Sequence, residues 1–367
     1  MIKICLDTNA FQDNWTASGE AFTFLAEFIK SGLAEVFISE VSILEHVNHY
    51  REEAPGIEAK LKSDLASCAK LIPAGTKGFT LPPFYSPPAF EKCFRERLTE
   101  LGIQTLAIPQ VPHAELVTRD LARRRPFVKT GKGYRDALTW LAFLGAVDLS
   151  TKQAIYVTND INDHCNEQKS KLHPELTDEI LSKNAKCKVL WFPTPKKLVD
   201  EFVKPLLKKT AEDKEKTEKI LKRIQGGTYK GFALEDVVNE GLEDFETQEA
   251  DGTFYAKDVP LEEPVHVTMV ESPNEIEATD LYRLSNGSYV CQGTAEVVAT
   301  VEGFVDKLDA FELSERGSVY VSTTNWNEQY SEVEVSNVPV RLTFSFQFED
   351  GFSDISKFEV TGVESNQ

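Results

Sequence analysis

The sequence lacks any apolar run near the roughly 20 residues that a membrane-spanning helix needs. It also lacks a cationic start followed by an apolar stretch and a cleavage site, so we expect a cytoplasmic protein. Its six cysteines form no CxxC pair and no dense cluster, which argues against a disulfide framework and against a structural zinc site. We therefore expect the cysteines to be reduced and partly buried.

Basic residues are scarce in the last third of the chain. Residues 228–367 hold 7 Lys and Arg against 29 Asp and Glu, a net charge of −22. The other 227 residues hold 33 against 30, a net charge of +3, and the whole chain of 367 residues is too long for one ordinary core. These numbers predict two domains of different charge, joined by a solvated helix in the highly charged segment 208–227.

In the predicted first domain, residues 1–207, acidic residues lie where predicted strands end or helices begin. Asp7 ends the apolar segment MIKICL, and Asp160 lies in the turn after the apolar segment AIYV. Glu45 lies one turn into a predicted helix, and Asp136 opens another helix after two glycines. In a doubly wound α/β sheet, ligands bind beyond the carboxyl ends of the strands, so three of these carboxylates are expected at one crevice.

Clustered carboxylates repel one another unless a cation neutralises them, and oxygen ligands favour Mg²⁺ or Mn²⁺ over zinc. One or two such ions would suit the hydrolysis of a phosphodiester by an activated water. Taken singly, each aspartate would be interpreted as a turn residue or helix cap. Glu40 is the nearby alternative to Glu45 as the glutamate of the site. The metal site is predicted from the four positions taken jointly.

The motif order LDTN, a helical glutamate, GYRDAL and VTNDIND resembles the PIN domain over roughly residues 1–205. The stretch RRRPF followed by GKGYRDALTW resembles its bacterial PIN-like branch in particular. The resemblance implies a central parallel sheet flanked by helices and a metal-dependent endonuclease that acts on RNA. By that resemblance, the catalytic and metal-binding acids are Asp7, Glu45, Asp136 and Asp160, with Asp163 as an auxiliary ligand. The polar neighbours that orient them are Thr8, Asn9, Thr158 and Asn159.

Basic residues are concentrated in RDLARRRPFVKTGKGYRD, immediately before and around Asp136. A nuclease needs local positive charge to bring phosphate toward its carboxylates, and such contacts position a substrate without specifying sequence. The alternative is a solvated helix face followed by a loop. The predicted substrate-binding residues are Asn9, Arg123, Arg124, Arg125, Lys129, Lys132, Arg135 and Asn159.

The segment KGFTLPPFYSPPAFEKCFRERL carries two proline pairs interleaved with Phe79, Phe84, Tyr85 and Phe90. Because proline disrupts a helix interior, the pairs predict an irregular excursion. Its aromatic side chains are expected to form a small core of their own. Alternatively, they stack on unpaired bases.

Beyond residue 228 the periodicity changes to two, as in SYVCQGTAEVVATV and VPVRLTFSFQF. This pattern predicts a smaller antiparallel β-rich domain over residues 228–367, with one buried face. Its acidic charge argues against binding to nucleic acid. Three uses are left open: binding of a protein partner or self-association, a cover over the basic approach to the nuclease site, or simply a soluble accessory domain with an acidic surface.

The sequence as a whole predicts a metal-dependent endoribonuclease that cleaves single-stranded or loop regions of RNA. The preference for RNA and a role as a regulated toxin or defence nuclease are implied by the resemblance alone. Two alternatives stay open: a catalytically silent PIN-fold module that binds RNA or protein, and a structure-specific DNA nuclease.

Overall fold

The chain divides into two compact units, Met1–Lys209 and Thr210–Gln367, in the computed structural model. The residues that the structure describes are 1–12, 14–69, 84–128, 132–210, 214–229, 233–242, 254–257, 259–269, 272–313, 319–321, 330–349 and 355–365.

A parallel sheet of five strands forms the centre of the described part of the first unit. The strands are β1 (Ile2–Leu6), β2 (Ala34–Ser39), β3 (Gln104–Leu106), β4 (Gln153–Val157) and β5 (Lys188–Phe192). Their spatial order is β3-β2-β1-β4-β5, so the chain builds outward from β1 on one side and then continues on the other. The order therefore reverses between β1 and β4, and such a reversal opens a crevice at the carboxyl ends of the strands.

Helices connect these strands. They are α1 (Gly19–Lys30), α2 (Glu40–Ala69), α3 (Pro87–Leu101), α4 (His113–Leu121), α5 (Tyr134–Ala146), α6 (Ile161–His164), α7 (Pro174–Lys183), α8 (Pro195–Leu198) and α9 (Lys204–Thr210). A 3₁₀ turn, Thr8–Phe11, follows β1, and a π-helical turn, Val199–Val203, lies between α8 and α9. The arrangement confirms the predicted α/β class with a central parallel sheet.

The neighbouring strands β1 and β4 are mostly apolar because both of their faces are covered. On one side, Cys5 and Tyr156 pack with Trp140 and Phe143 of α5. The opening of α5 packs in a separate apolar cluster through Ala137. The helix that carries Asp136 is thus fixed by side chains buried in two apolar clusters.

The prediction of an irregular excursion was wrong over Pro87–Leu101, which forms the regular helix α3. Pro87 and Pro88 occupy the first turn, where the missing N–H groups would have no helical acceptor. Phe90 stacks on Tyr50 with ring centroids 3.9 Å apart and is buried, as expected for a local aromatic core. Phe79 lies outside the described residues.

The second unit contains a seven-stranded antiparallel sheet, counted over its described residues. Its strands are β6 (Phe254–Ala256), β7 (Val259–Met269), β8 (Asn274–Arg283), β9 (Tyr289–Asp306), β10 (Val319–Val321), β11 (Tyr330–Phe348) and β12 (Ile355–Ser365). The long strands β9 and β11 pair along their whole length. Three helices accompany the sheet: α10 (Lys214–Gln225), α11 (Leu234–Leu242) and α12 (Lys307–Leu313).

The predicted period of two is confirmed in β9 and β11. Their alternate apolar side chains, from Tyr289 to Val301 and from Val340 to Phe348, are buried in one core. The intervening residues of β9 from Thr294 onward are only partly buried. Burial on one face of an antiparallel sheet explains the alternating pattern, and the β-rich architecture agrees with the prediction.

The prediction of a solvated connecting helix over 208–227 was wrong. Helix α10 belongs to the second unit, where Ile220 and Ile224 are buried in the core of the sheet. The high charge of the segment conceals these two apolar residues, which lie four positions apart and therefore on one helix face. Residues 211–213 lie outside the described part of the chain.

Among the described residues, every helix is too short or too polar to cross a membrane.

Candidate functional site

Asp7 lies at the carboxyl end of β1 and is joined there to the end of β4. Its Oδ1 accepts a hydrogen bond from the backbone N–H of Thr8 at 2.8 Å, and its Oδ2 accepts one from Thr158 Oγ1 at 2.8 Å. The Thr158 hydroxyl in turn accepts from Asn9 Nδ2 and from the backbone N–H of Asp160, each at 3.1 Å. A single hydroxyl therefore links Asp7 at one strand end to Asp160 beyond the other.

Glu45, on α2, is held by two donors. Thr8 Oγ1 donates to Glu45 Oε2 at 2.8 Å, and Arg135 Nη1 lies 2.9 Å from Glu45 Oε1. The side chain of Arg135 is 61% exposed, whereas that of Glu45 is 15% exposed. The charge of Glu45 is thus already compensated by a neighbouring cation.

Asp136, Asp160 and Asp163 form what we call the acidic triad. Each offers one carboxylate oxygen, and these oxygens all lie within 4.8 Å of one another. All three residues are half-buried. Asp136 lies in the first turn of α5, Asp160 caps α6 by accepting from the backbone N–H of Asp163 at 3.2 Å, and Asp163 lies within α6.

Burial and mutual repulsion disfavour the ionised forms of these acids. Burial raises the pKa of Asp7 to about 6, opposed by the hydrogen bonds from Thr158 and Thr8. Burial, followed by the negative charge of Asp7, raises the pKa of Asp136 to about 6. Burial and the charge of Asp160 also raise the pKa of Asp163. A bound cation would relieve this repulsion.

His164 follows the acidic triad directly and is fully buried. Neither ring nitrogen has a hydrogen-bond partner among the described residues, and the ring stacks on Tyr156 with centroids 5.2 Å apart. Burial lowers the pKa of His164, although the nearby Asp136 and Asp160 act in the opposite direction. The imidazole is therefore a neutral neighbour of the triad.

The predicted phosphate-binding arginines make contacts within the protein. Arg123 pairs with Asp120, Arg124 with Glu179, and Arg125 Nη1 donates to the backbone carbonyl oxygen of Asn162 at 2.5 Å. Lys132 is exposed, and its positive charge lowers the pKa of Asp163 against the larger effect of burial. Lys129 lies outside the described residues.

The two predicted amides also have structural contacts. Asn9 donates to Thr158, as described above, and its Oδ1 accepts from the backbone N–H of Asn159 at 3.0 Å. Asn9 therefore ties the turn after β1 to the turn after β4, and Asn159 lies exposed in the second of these turns.

Sequence reasoning missed a buried carboxylate, Glu179 of α7, which is 5% exposed. It accepts from Arg119 Nη2 at 2.8 Å and from Trp140 Nε1 at 2.7 Å, and Arg124 Nη2 lies 2.6 Å away. The signal available in the sequence was the position of Glu179 next to Ile180, an apolar residue of α7. A carboxylate beside the buried face of a helix needs a hydrogen-bonding or charged partner.

The donor set of the acidic triad suits a hard divalent cation, because all of its ligand atoms are carboxylate oxygens. Asp7 and Glu45 add negative charge close by, as their effects on the pKa of Asp136 show. The site therefore has a composition that could hold a divalent metal ion.

Comparison with known families identifies the fold around these residues. The family model described as a PIN domain matches residues 4–164, a segment that runs from β1 to the end of α6 and contains all five acids. Two further comparisons, with curated proteins and with solved structures, found no match. PIN domains are nuclease-type folds that usually employ divalent metal ions, in agreement with the composition of the triad. Residues 4–164 of the first unit are therefore similar to the PIN domain family.

Proposed function

We propose that the first unit is a metal-dependent endoribonuclease whose cation is held by the acidic triad. The observation that carries this proposal is the convergence of three half-buried carboxylates, within 4.8 Å, inside a PIN-domain segment. A catalytically silent binding module would gain nothing from this arrangement, since uncompensated carboxylates destabilise the fold.

In this proposal Asp136, Asp160 and Asp163 bind Mg²⁺ or Mn²⁺, and Asp7 and Glu45 complete the acidic surroundings. The ion would supply Lewis acidity and a water of lowered pKa for attack on the phosphodiester. The chain itself positions the acids: Thr158 and Thr8 orient Asp7 through the hydrogen bonds described above. No covalent intermediate with the protein is required.

Lys132 and Arg135 are the proposed phosphate contacts among the described basic residues. Both are exposed and lie close in sequence to Asp136. Arg135 also pairs with Glu45, but it adjoins Asp136 and its side chain is 61% exposed. Arg123 and Arg124 pair with Asp120 and Glu179, and Arg125 donates to the backbone of Asn162, so we assign these three mainly to the architecture of the site. Phosphate contacts of this kind position RNA without selecting its sequence.

The test is cleavage of a panel of tRNA, structured RNA, single-stranded DNA and branched DNA with Mg²⁺ or Mn²⁺. Asp136→Asn is expected to lower cleavage of RNA by about 100-fold or more, because it removes a metal ligand. Asp178→Asn is the matched control, since it makes the same change at an exposed position of α7 and should retain activity.

The alternatives predict other outcomes of the same panel. Preferential cleavage of branched DNA would indicate a structure-specific DNA nuclease. Absence of any metal-dependent cleavage by the wild type would favour a binding module. Equal cleavage by wild type and Asp136→Asn would mean that the site is wrongly assigned.

The biological part of the proposal is a regulated nuclease that arrests growth, as a toxin or in defence. It rests on family resemblance alone. Induced expression should slow bacterial growth for the wild type and for Asp178→Asn, but not for Asp136→Asn. Equal growth of all three strains would contradict this role.

A further inference from the structure

The acidic triad depends on the relative placement of two helices, one of which is very short. Asp136 lies on α5, whereas Asp160 caps and Asp163 lies within α6, which has only four residues. A helix of four residues is not stable by itself, because the conformational entropy lost in forming its first turn exceeds the stabilisation from the hydrogen bonds of that turn. The geometry of the triad must therefore be maintained by contacts outside α6.

One such contact joins α6 to the segment before α5. Arg125 Nη1 donates to the carbonyl oxygen of Asn162, which lies between the two aspartates of α6. The backbone N–H of Arg125 donates to Glu175 Oε2 of α7 at 2.9 Å. The position of α6 is thus linked to the position of Arg125.

A second set of contacts joins that segment to α5 through Glu179. The carboxylate of Glu179 contacts Arg124, the residue before Arg125, and accepts from Trp140, which lies one helical turn after Asp136. Arg119 supplies a third donor and is itself 6% exposed at its side chain. A buried carboxylate with three charge-assisted or indole donors has little freedom to move.

These contacts form a continuous path from one side of the triad to the other. It runs from α5 through Trp140 to Glu179, then through Arg124 and Arg125 to the backbone of α6. Glu179 is the only carboxylate of the described residues that contacts both Trp140 and Arg124.

We propose that Glu179 is a positioning residue that sets the distance between Asp136 and the two aspartates of α6, and thereby the affinity of the triad for a divalent cation. This inference rests on the proposed metal site. Glu179 itself neither binds the ion nor contacts substrate. Outer partners of metal ligands characteristically act on affinity through orientation, and their loss typically weakens binding by about 10- to 100-fold.

The experiment is calorimetric titration of the full-length, metal-free protein with Mn²⁺, together with a thermal unfolding curve for each variant. Glu179→Gln keeps the size of the side chain but removes its charge toward both arginines. The Kd for Mn²⁺ is expected to rise by about 10-fold or more in this variant. Asp136→Asn serves as the reference that locates the measured ion in the triad.

Glu20→Gln is the matched control. Glu20 is another buried glutamate of the first unit, 9% exposed, and pairs with Lys204 at 2.9 Å. Its substitution should lower the Tm without changing the Kd for Mn²⁺, because its partner Lys204 belongs to α9 rather than to α5 or α6. Trp140→Phe is a second variant, which removes the indole donor together with part of the buried ring and should also weaken Mn²⁺ binding.

An unchanged Kd in both Glu179→Gln and Trp140→Phe, with a loss of Tm like that of Glu20→Gln, would overturn the inference and leave Glu179 a purely structural residue. If Asp136→Asn binds Mn²⁺ as tightly as the wild type, the ion lies elsewhere and the inference also fails. A wild type that binds Mn²⁺ in the triad but cleaves no RNA would refute the proposed function alone; a weaker Kd in Glu179→Gln would still support the positioning role.

Discussion

Thr158 Oγ1 donates a hydrogen bond to Asp7 Oδ2 at 2.8 Å, which joins the ends of two strands that are 151 residues apart in the chain. The same hydroxyl accepts hydrogen bonds from the side chain of Asn9 and the backbone of Asp160. An aspartate of the first strand and an aspartate of the triad are therefore positioned by one oxygen atom.

Thr158→Val should lower both stability and activity, because valine has the shape of threonine but can neither donate to Asp7 nor accept from Asp160. We expect a loss of about 1–3 kcal/mol in the free energy of unfolding. Cleavage of RNA should fall with it, measured at a temperature where the variant is folded. Thr158→Ser keeps the hydroxyl and should retain most of the activity; comparable activity of the valine and serine variants would contradict the role of this oxygen.

Asp136→Asn should stabilise the metal-free protein at neutral pH. The pKa of Asp136 in the folded state, about 6, lies above the ordinary value of 3.8, so the folded state holds the proton more tightly. The resulting stabilisation is complete below about pH 4 and is lost as the pH rises through 6. Because the residue is half-buried, we expect asparagine to add about 1–2 kcal/mol at pH 7.5.

Thermal unfolding in a chelating buffer at pH 4.5 and pH 7.5 measures this effect. The gain from Asp136→Asn should nearly vanish at pH 4.5, where the wild-type carboxyl group is protonated. Addition of Mn²⁺ at pH 7.5 should raise the Tm of the wild type more than that of the variant. A variant that is less stable than the wild type at both pH values would show that Asp136 is not under electrostatic strain.

Arg135→Ala should weaken the binding of RNA and reduce its dependence on salt. The slope of log K against log salt is expected to fall by about 0.7 for each lost contact with a single strand. Fluorescence anisotropy in an Asp136→Asn background prevents cleavage during the measurement. Lys92→Ala, which removes another exposed cation, on α3, is the control. Equal slopes for the two variants would restrict Arg135 to its contact with Glu45.

Gly293→Ala should destabilise the second unit. A Cβ atom at this position of β9 would overlap the backbone oxygen of Glu277 and the ring of Phe344. We expect a loss of about 1–3 kcal/mol, seen as a lower Tm for the unfolding transition of the sheet. Gly362→Ala on β12 places its Cβ at an ordinary 3.6 Å from Thr343 and should be tolerated. Equal effects of the two substitutions would mean that the neighbours of Gly293 in the sheet shift to accommodate the Cβ atom.

The sheet and its acidic edge were predictable because each depends on a local pattern. A buried apolar segment followed by Asp7 or Asp160 indicates a strand end, and parallel topology brings strand ends together. Alternation predicted the buried face of β11 from Val340 to Phe348 for the same reason. In these cases the spacing of apolar residues in the sequence equals the spacing of buried residues in the strand.

Other features depend on context that the sequence does not display. Pro87 predicted irregular structure, but Ser86 caps the helix just before it by accepting from the backbone N–H of Ala89 at 3.4 Å. Likewise, Arg124 was interpreted as a phosphate ligand because its partner Glu179 is remote in the chain and brought close only by folding. Whether a charged side chain pairs with a buried partner depends on the tertiary fold.

The acidic triad is assembled from a short piece of chain. Asp136 and Asp160 are separated by one helix and one strand, whereas Asp7 reaches Asp160 only after most of the first unit has been traversed. The entropic cost of closing a loop grows with the logarithm of its length. Bringing Asp136 to Asp160 therefore costs about 1.5 kcal/mol less than bringing Asp7 to Asp160. The closure that brings Asp136 and Asp160 together therefore loses less chain entropy than the closure that adds Asp7, and a cation present during folding would favour the shorter closure first.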